Sequence, residues 1–200
     1  FPKPVSKTRR AVFKSIIVHV GFQRDLSLWR ESGGSAPGGG FMQAAILCVG
    51  KLKEKYWRQA ADEYLKRLSR YGRVEEAAVP DEPEPAGEGE ALCRRVMETE
   101  ASRLLSRIKP GDYVIALCVD GAQWDSAALA KHLEELPHRG YQRAVFLIGG
   151  SLGLGESAVK RADEKLSLSK MTFPHQMARV ILLEQLYRAA KIGAGERYHK

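Results

Sequence analysis

Short apolar runs recur along the chain after residue 42, and each is followed by a stretch with helical periodicity. Residues 45–49, 114–119 and 144–148 are apolar throughout, as is typical of strands buried on both faces of a parallel sheet. Residues 73–79 form a further predicted strand. These runs predict a sheet whose strands enter it one at a time, with a helical connection between them.

The connecting stretches carry the helical pattern. Residues 53–71 place apolar side chains on one stripe and charges opposite. The stripe consists of Trp57, Ala60, Ala61, Tyr64, Leu65, Leu68 and Tyr71. Further helices are predicted over 91–108 and over 124–136, the latter capped near Asp125 or Ser126. Strands alternating with helices predict an α/β domain with a mainly parallel sheet and helices on both faces.

The last predicted helix, 177–190, differs from the others because it is apolar over most of its circumference. A helix of this kind is buried on more than one side. We therefore expect it to pack in the core and also against a second subunit, which makes the protein a homodimer.

Composition narrows the class of protein. The chain of 200 residues is 44% hydrophobic and 28% charged, which is ordinary for a globular domain. Of the net charge of +8, residues 1–41 carry +5, so the remainder is close to neutral and is not expected to hold naked nucleic acid by charge alone. Cys48, Cys93 and Cys118 are widely spaced and predict reduced thiols of a cytosolic-type compartment, with no metal spacing. No apolar stretch is long enough for a membrane span.

Residues 1–41 are basic, lack a clear period and end in a Gly-rich linker composition before Met42. They are expected to be unstructured, and three origins remain open: translated sequence upstream of the true start, an organelle transit peptide, or a basic RNA-binding arm. The folded domain is expected over 42–200. The proline-rich, acidic stretch 80–90 predicts a surface loop.

The stretch FLIGGSLGLGES, residues 146–157, raises the question of a ligand site. A loose G-x-G-x-x-A pattern follows the strand, but the acidic residue expected about twenty positions later in a dinucleotide fold is missing, and no Gly-Lys-Ser/Thr closes a P-loop. Phosphate binding is therefore disfavoured. Glycines at a strand end still indicate close approach of the backbone to something.

Four segments in order carry a resemblance: LCVDGAQWDS, LIGGSLGLGES, LSLSKMTFPHQMARVILLEQLYRA and the terminal RYHK. Together they resemble the ribosomal RNA large-subunit methyltransferase H family, over residues 42–200. The resemblance implies a SPOUT α/β fold whose C-terminal part is threaded into a trefoil knot, an exception to the usual absence of knots. It also implies transfer of a methyl group from S-adenosylmethionine to N3 of a pseudouridine in 23S large-subunit ribosomal RNA.

The same resemblance implies where the cofactor binds. In this family the glycine turn lines a pocket that holds S-adenosylmethionine bent, largely through backbone groups. The matching positions here are Leu117, Gly149, Leu168, Ser169, Lys170, Met171, Thr172 and Phe173. We expect a branched side chain at Gly149 to weaken cofactor binding and to leave the fold intact. No metal is expected.

Methylation of a pyrimidine N3 requires an acceptor for its proton, and a neutral histidine is suited to this. His175 follows the predicted cofactor loop, although it could equally do no more than pack the helix start. The resemblance implies that Tyr198 and His199 in the terminal tail complete the site. Arg179 and Arg188 could hold RNA, or could instead pair with Glu184 between subunits.

The expected partners follow from the resemblance and from the near-neutral domain. They are 23S ribosomal RNA within the assembled ribosome and a second copy of the chain, with no membrane and no DNA. The alternative is a non-catalytic ribosome-associated assembly factor that keeps the knot. Calorimetry with S-adenosylmethionine separates the two.

Overall fold

The computed structural model describes residues 42–83 and 89–196. The predictions for the N-terminal segment 1–41, for part of the acidic loop and for Tyr198 and His199 lie outside the described residues.

The described residues form five strands that alternate with five helices. Their bounds are β1 Gln43–Val49, α1 Lys55–Leu68, β2 Val74–Val79, α2 Glu90–Leu105, β3 Asp112–Gln123, α3 Ser126–His138, β4 Arg143–Ile148, α4 Glu156–Arg161, β5 Glu164–Ser167 and α5 His175–Gly193. Asp125 is the N-cap of α3, and its side chain accepts a hydrogen bond from the backbone N–H of Ala128. The predicted strands and long helices are confirmed, with ends shifted by a few residues.

All five strands are parallel, in the order β2-β1-β4-β3-β5. The central strands β1 and β4 are almost entirely buried because helices cover both faces. Helices α1, α3 and α5 lie on one face, where α5 packs against both of the others. Helices α2 and α4 pack together on the opposite face. The predicted α/β architecture with helices on both faces is confirmed.

Strand β3 is irregular where it reaches the carboxyl edge of the sheet. Both Leu117 and Ala122 pair with Leu166 of β5, so residues 118–121 form a bulge between them. A Cβ atom on Gly121 would lie 2.6 Å from the carbonyl carbon of Leu166. Glycine at this position therefore allows the bulged strand to return to its neighbour.

Two short elements and one packing relation differ from the expectation. No strand was predicted for β5 and only a vague helical tendency for α4, because neither is long enough to show a period. The apolar circumference of α5 is explained within one chain, since the helix lies between α1 and α3 and no residue from His175 to Ile192 is exposed. Its apolarity alone therefore no longer implies a second subunit. No helix among the described residues has the length and hydropathy needed to cross a membrane.

A buried ion pair connects α5 to the sheet. The guanidinium of Arg179 is fully buried, and it donates to Glu76 Oε1 of β2 at 2.8 Å and to the carbonyl oxygen of Gly50 at 2.7 Å. Glu76, only 5% exposed, also accepts from Arg58 of α1 at 3.1 Å. Four segments thus meet at one carboxylate and one guanidinium.

Removal of one member of this pair should destabilise the fold strongly. We expect Arg179→Met to lower the free energy of unfolding by about 3–5 kcal/mol, because it leaves the Glu76 carboxylate buried with only Arg58 beside it. The double variant Arg179→Met/Glu76→Gln should recover part of this loss, since no charge is then stranded. Urea denaturation measures both. A loss below about 1 kcal/mol in the single variant would show that the pair does not hold α5 in place.

Candidate active site

The segments that sequence analysis predicted as the cofactor site meet at the carboxyl edge of the sheet. Leu117 of β3 pairs with Leu166 of β5. The residue before it, Ala116, pairs with Leu147 near the end of β4. Gly149 follows β4 directly, and the loop 168–173 follows β5. The pairing of β3 with β4 ends at Ala116, β4 ends at Ile148 and β5 ends at Ser167, so these positions lie at the carboxyl edge, where ligands of parallel α/β sheets bind.

The glycine turn after β4 is packed closely on itself. Gly150 and Gly153 form a β-bridge, and Gly153 adopts a φ of 96°. A Cβ atom on Gly149 would lie 2.3 Å from both the carbonyl carbon and the carbonyl oxygen of Gly153. At Gly155 it would lie 2.6 Å from the carbonyl oxygen of Met97 in α2. These glycines are required by contacts within the protein, so the expectation that a branched residue at Gly149 leaves the fold intact is wrong.

The loop 168–173 is organised by its serines. Ser167 Oγ donates to the carbonyl oxygen of Ser169 at 2.8 Å, and Ser169 Oγ accepts from the backbone N–H of Met171 at 3.0 Å. The hydroxyl of Ser169 is therefore engaged within the loop. Lys170 and Thr172 are exposed, and the Met171 side chain is 73% exposed. This loop presents backbone and flexible side chains outward at the edge of the sheet.

His175 begins α5 above the end of β1. Its Nε2 lies 3.7 Å from the point where a Cβ atom on Gly50 would be, and Asp81 Cγ lies 3.8 Å from the same point. Partial burial, reinforced by the Arg179 cation, lowers the pKa of His175 below its usual 6.5, and the Asp81 carboxylate opposes this only in part. The imidazole is therefore neutral at neutral pH, as a proton acceptor must be.

The chain crosses the carboxyl edge between the loop and the helix. Strand β5 lies at the far edge next to β3, whereas His175 lies beside Gly50 at the end of β1. The backbone N–H of Lys53 also donates to Gln176 Oε1 at 3.0 Å, which confirms that α5 starts over this side of the sheet. Residues 168–174 therefore pass over the ends of β3 and β4. Such a crossing is consistent with a threaded C-terminus, and the knot itself stays a prediction.

The two arginines of α5 do not have the same environment. Arg179 is fully buried in its pair with Glu76, so the interpretation that it holds RNA is wrong, as is its alternative pairing with Glu184. Arg188 pairs with Glu184 of the same chain, four residues earlier on the helix. It lies 13 residues after His175, which is about 20 Å along a helix axis. The structure therefore does not bring Arg188 to His175 within one chain.

Glu100 of α2 is a polar residue at this edge that the sequence pattern did not mark. It is only 4% exposed, accepts the backbone N–H of Glu82 at 2.9 Å, and has carboxylate oxygens 3.0 and 3.3 Å from the point where a Cβ on Gly150 would be. Burial raises the pKa of Glu100. The one available signal was an acid on the buried side of an amphipathic helix, and the other two glutamates of that helix, Glu90 and Glu98, obscured it.

A metal centre and a cleft elsewhere on the protein are the alternatives to this edge as a functional site. No cluster of three or more His, Cys, Asp or Glu side chains that could hold a metal ion occurs within 42–83 and 89–196. A cleft of about 570 Å³ is lined by residues between Glu90 and Glu98, on one face of the single helix α2. The carboxyl edge is therefore the candidate active site.

The glycine turn provides a test of its packing. We expect Gly149→Ala to lower the free energy of unfolding by about 1–3 kcal/mol, because even a methyl group overlaps the Gly153 backbone. Gly193→Ala is the matched control, since a Cβ there meets nothing within 4 Å and the site is helical. Thermal and urea unfolding measure both variants. An unchanged midpoint for Gly149→Ala would show that the turn has room for a side chain.

Comparison with known proteins agrees with this geometry. A family model described as "Predicted SPOUT methyltransferase" matches residues 42–199. The chain is 50% identical over 159 residues to a protein of Shouchella clausii (strain KSM-K16) named "Ribosomal RNA large subunit methyltransferase H", and 48% identical over 159 residues to the protein of that name from Bacillus cereus (strain ATCC 10987 / NRS 248). Each match covers 80% of this chain and 100% of the relative.

Among solved structures, a probable methylase family protein from Haemophilus influenzae Rd KW20 is similar with a TM-score of 0.45 and 13% identity. It covers 78% of this chain and 70% of the other. A likeness this weak carries no argument of its own, whereas the family model and the curated relatives span the whole described domain. The chain therefore belongs to the SPOUT methyltransferase family.

Proposed function

We propose that this protein transfers a methyl group from S-adenosylmethionine to N3 of a pseudouridine in 23S ribosomal RNA, with the assembled ribosome as substrate. The two relatives named above are ribosomal RNA large-subunit methyltransferases. The observation that carries the proposal is the convergence of Leu117, Gly149, the loop 168–173 and a neutral His175 along one edge of the sheet. A non-catalytic assembly factor that keeps the fold would keep these strand ends, so binding of S-adenosylmethionine separates the two candidates.

The residues at the edge fit S-adenosylmethionine. Leu117 and Phe173 are half-buried and Met171 is exposed, so they offer apolar surface to a planar adenine. The loop backbone offers donors and acceptors to the polar edge of the base and to the ribose. Leu168, Ser169, Lys170 and Thr172 take part through this backbone, and Gly149 allows the close packing of the turn beside it. When bound, S-adenosylmethionine supplies an electrophilic methyl carbon on a sulfonium.

His175 has the properties required for the proton of N3. The nitrogen lone pair forms the new N–C bond as the carbon–sulfur bond breaks, and the N3 proton leaves to a base. A neutral imidazole with a lowered pKa accepts this proton and then releases it to solvent, because the Arg179 cation disfavours the imidazolium. The Asp81 carboxylate, which also lies beside Gly50, partly offsets the effect of Arg179 on the pKa of His175.

The length of α5 supports a homodimer in which each active site uses residues of both copies. Lys191, near the end of α5, pairs with Glu196. Lys191 lies 16 residues after His175, which is about 24 Å along the helix. The resemblance implies that Tyr198 and His199 take part in the site, and the chain leads to them from this far end of α5. We propose that they, with Arg188, complete the site of the other copy.

The experiment that tests this proposal measures tritiated methyl incorporation into ribosomes that lack the modification, with isolated 23S RNA as a comparison. We expect incorporation on ribosomes, little on free RNA, and binding of S-adenosylmethionine by calorimetry. A chain that lacks residues 198–200 should still bind S-adenosylmethionine and should still have the molar mass of a dimer in light scattering. Its methylation rate should fall by about two orders of magnitude or more, because it lacks groups that order the acceptor.

Several outcomes would contradict this proposal. Absence of donor binding would favour the assembly factor. Full activity of the truncated chain would remove the tail from the mechanism and leave His175 alone as base. A stable monomer at micromolar concentration would contradict the shared site, and equal activity on free RNA would show that the assembled ribosome is not required.

The role of His175 predicts a pH dependence. Only the neutral imidazole accepts a proton, so the methylation rate should fall as pH decreases through a pKa below 6.5. We expect His175→Gln to lose this acidic limb and to turn over about 10²–10⁴-fold more slowly, while donor affinity stays the same. Single-turnover rates between pH 5 and pH 8 measure it. If the His175→Gln variant shows the same fall in methylation rate at low pH, the titrating group is not His175.

A further inference from the structure

A short basic strip lies next to the candidate active site. We define it as Lys51, Lys53, Lys55 and Tyr56, between the end of β1 and the first turn of α1. All four residues are exposed, with 69% of the Lys53 side chain and 59% of Tyr56 accessible. Leu52, between Lys51 and Lys53, is buried and anchors the segment, while both lysines are exposed.

This composition does not serve the stability of α1. Lys55 occupies the first helical position, where a cation opposes the helix dipole, and the first turn contains no acidic residue. The N-cap residue Glu54 makes no side-chain capping hydrogen bond. The exposed Tyr56 ring makes a tilted contact with Trp57 at 5.0 Å between centroids and otherwise faces solvent. Residues that break local rules of stability in this way are typical of functional surfaces.

The charges of the strip are weakly compensated. The nearest acid to Lys53 Nζ is Asp81 at 3.5 Å, and both side chains are more than half exposed. An exposed pair of this kind contributes little and exchanges readily with another anion. Glu54 is the acid within the strip's own sequence, so with Asp81 two acids stand beside three lysines.

The strip also adjoins the residues that the proposed chemistry uses. Lys51 directly follows Gly50, which faces His175 Nε2, and the backbone N–H of Lys53 donates to Gln176 Oε1. An anionic chain that enters the site beside His175 therefore meets these lysines first.

We propose that the basic strip binds the ribosomal RNA strand that flanks the target nucleotide. This inference rests on the proposed function. Lysine ammonium groups contact backbone phosphates, and the exposed Tyr56 ring stacks on an unpaired base. The strip thus supplies local charge for RNA in a domain whose overall charge is low.

The test uses the variant Lys51→Gln/Lys53→Gln/Lys55→Gln in the full chain. Its control is Lys66→Gln/Lys131→Gln/Lys160→Gln, which removes the same charge from exposed positions elsewhere. Cosedimentation with ribosomes that lack the modification gives the affinity at several salt concentrations. We expect the strip variant to bind at least about 10-fold more weakly, with a salt slope lower by about 2, because three phosphate contacts are lost. Donor affinity and thermal midpoint should not decrease.

Tyr56→Ala and Tyr56→Phe separate stacking from hydrogen bonding. We expect Tyr56→Ala to raise the KM for ribosomes and Tyr56→Phe to retain the wild-type value, because stacking requires only the ring.

Equal affinity and salt slope in the strip and control variants would overturn the inference, as would failure of the wild-type protein to bind ribosomes. Crosslinks from the strip to ribosomal protein, with none to 23S RNA, would also overturn the inference. Binding without methyl transfer would instead refute the proposed function and leave the strip in place.

Discussion

The buried contact between Arg179, Glu76 and the Gly50 carbonyl is the constraint on which the site depends. It fixes the first turns of α5 against β1 and β2, and His175 stands one helical turn before Arg179. The same guanidinium that holds the helix also lowers the pKa of His175. The buried cation therefore fixes the position of the imidazole and, together with partial burial, favours its neutral form, a role that an apolar side chain at this position could not fill.

Long apolar runs and helical stripes made most of the fold predictable. The run 144–148 became β4, and the stripe of α1 packs Ala61 and Leu68 into the core as expected. Strand β5 was not predictable because its four residues, Glu164–Ser167, are too few to show a period and include a single apolar side chain, Leu166. It exists because β3 offers a neighbouring edge, which is a tertiary cause that no local pattern records.

The positions of the candidate-site segments were predictable where they depend on strand ends and were not predictable where they depend on contacts between segments far apart in sequence. Leu117, Gly149 and the loop 168–173 converge because parallel strands end at one edge. Arg179 was misjudged since its partner Glu76 is 103 residues away, and a charged residue on an apolar helix suggests a ligand when that partner is unknown. Glu100 escaped notice for the same reason, because its burial depends on the glycine turn and on the loop after β2.

The crossing of the carboxyl edge by residues 168–174 also affects how the chain is made. Helix α5 fills the space between α1 and α3, and its polar anchors join residues separated by 103 to 129 positions. Contacts of such long range form slowly, because loop closure must precede any gain from packing. During synthesis the face of the sheet that α5 covers stays open until residues 175–193 emerge. The apolar surfaces of α1 and α3 are exposed to other nascent chains until then, so the docking of α5 determines when this face is protected from aggregation.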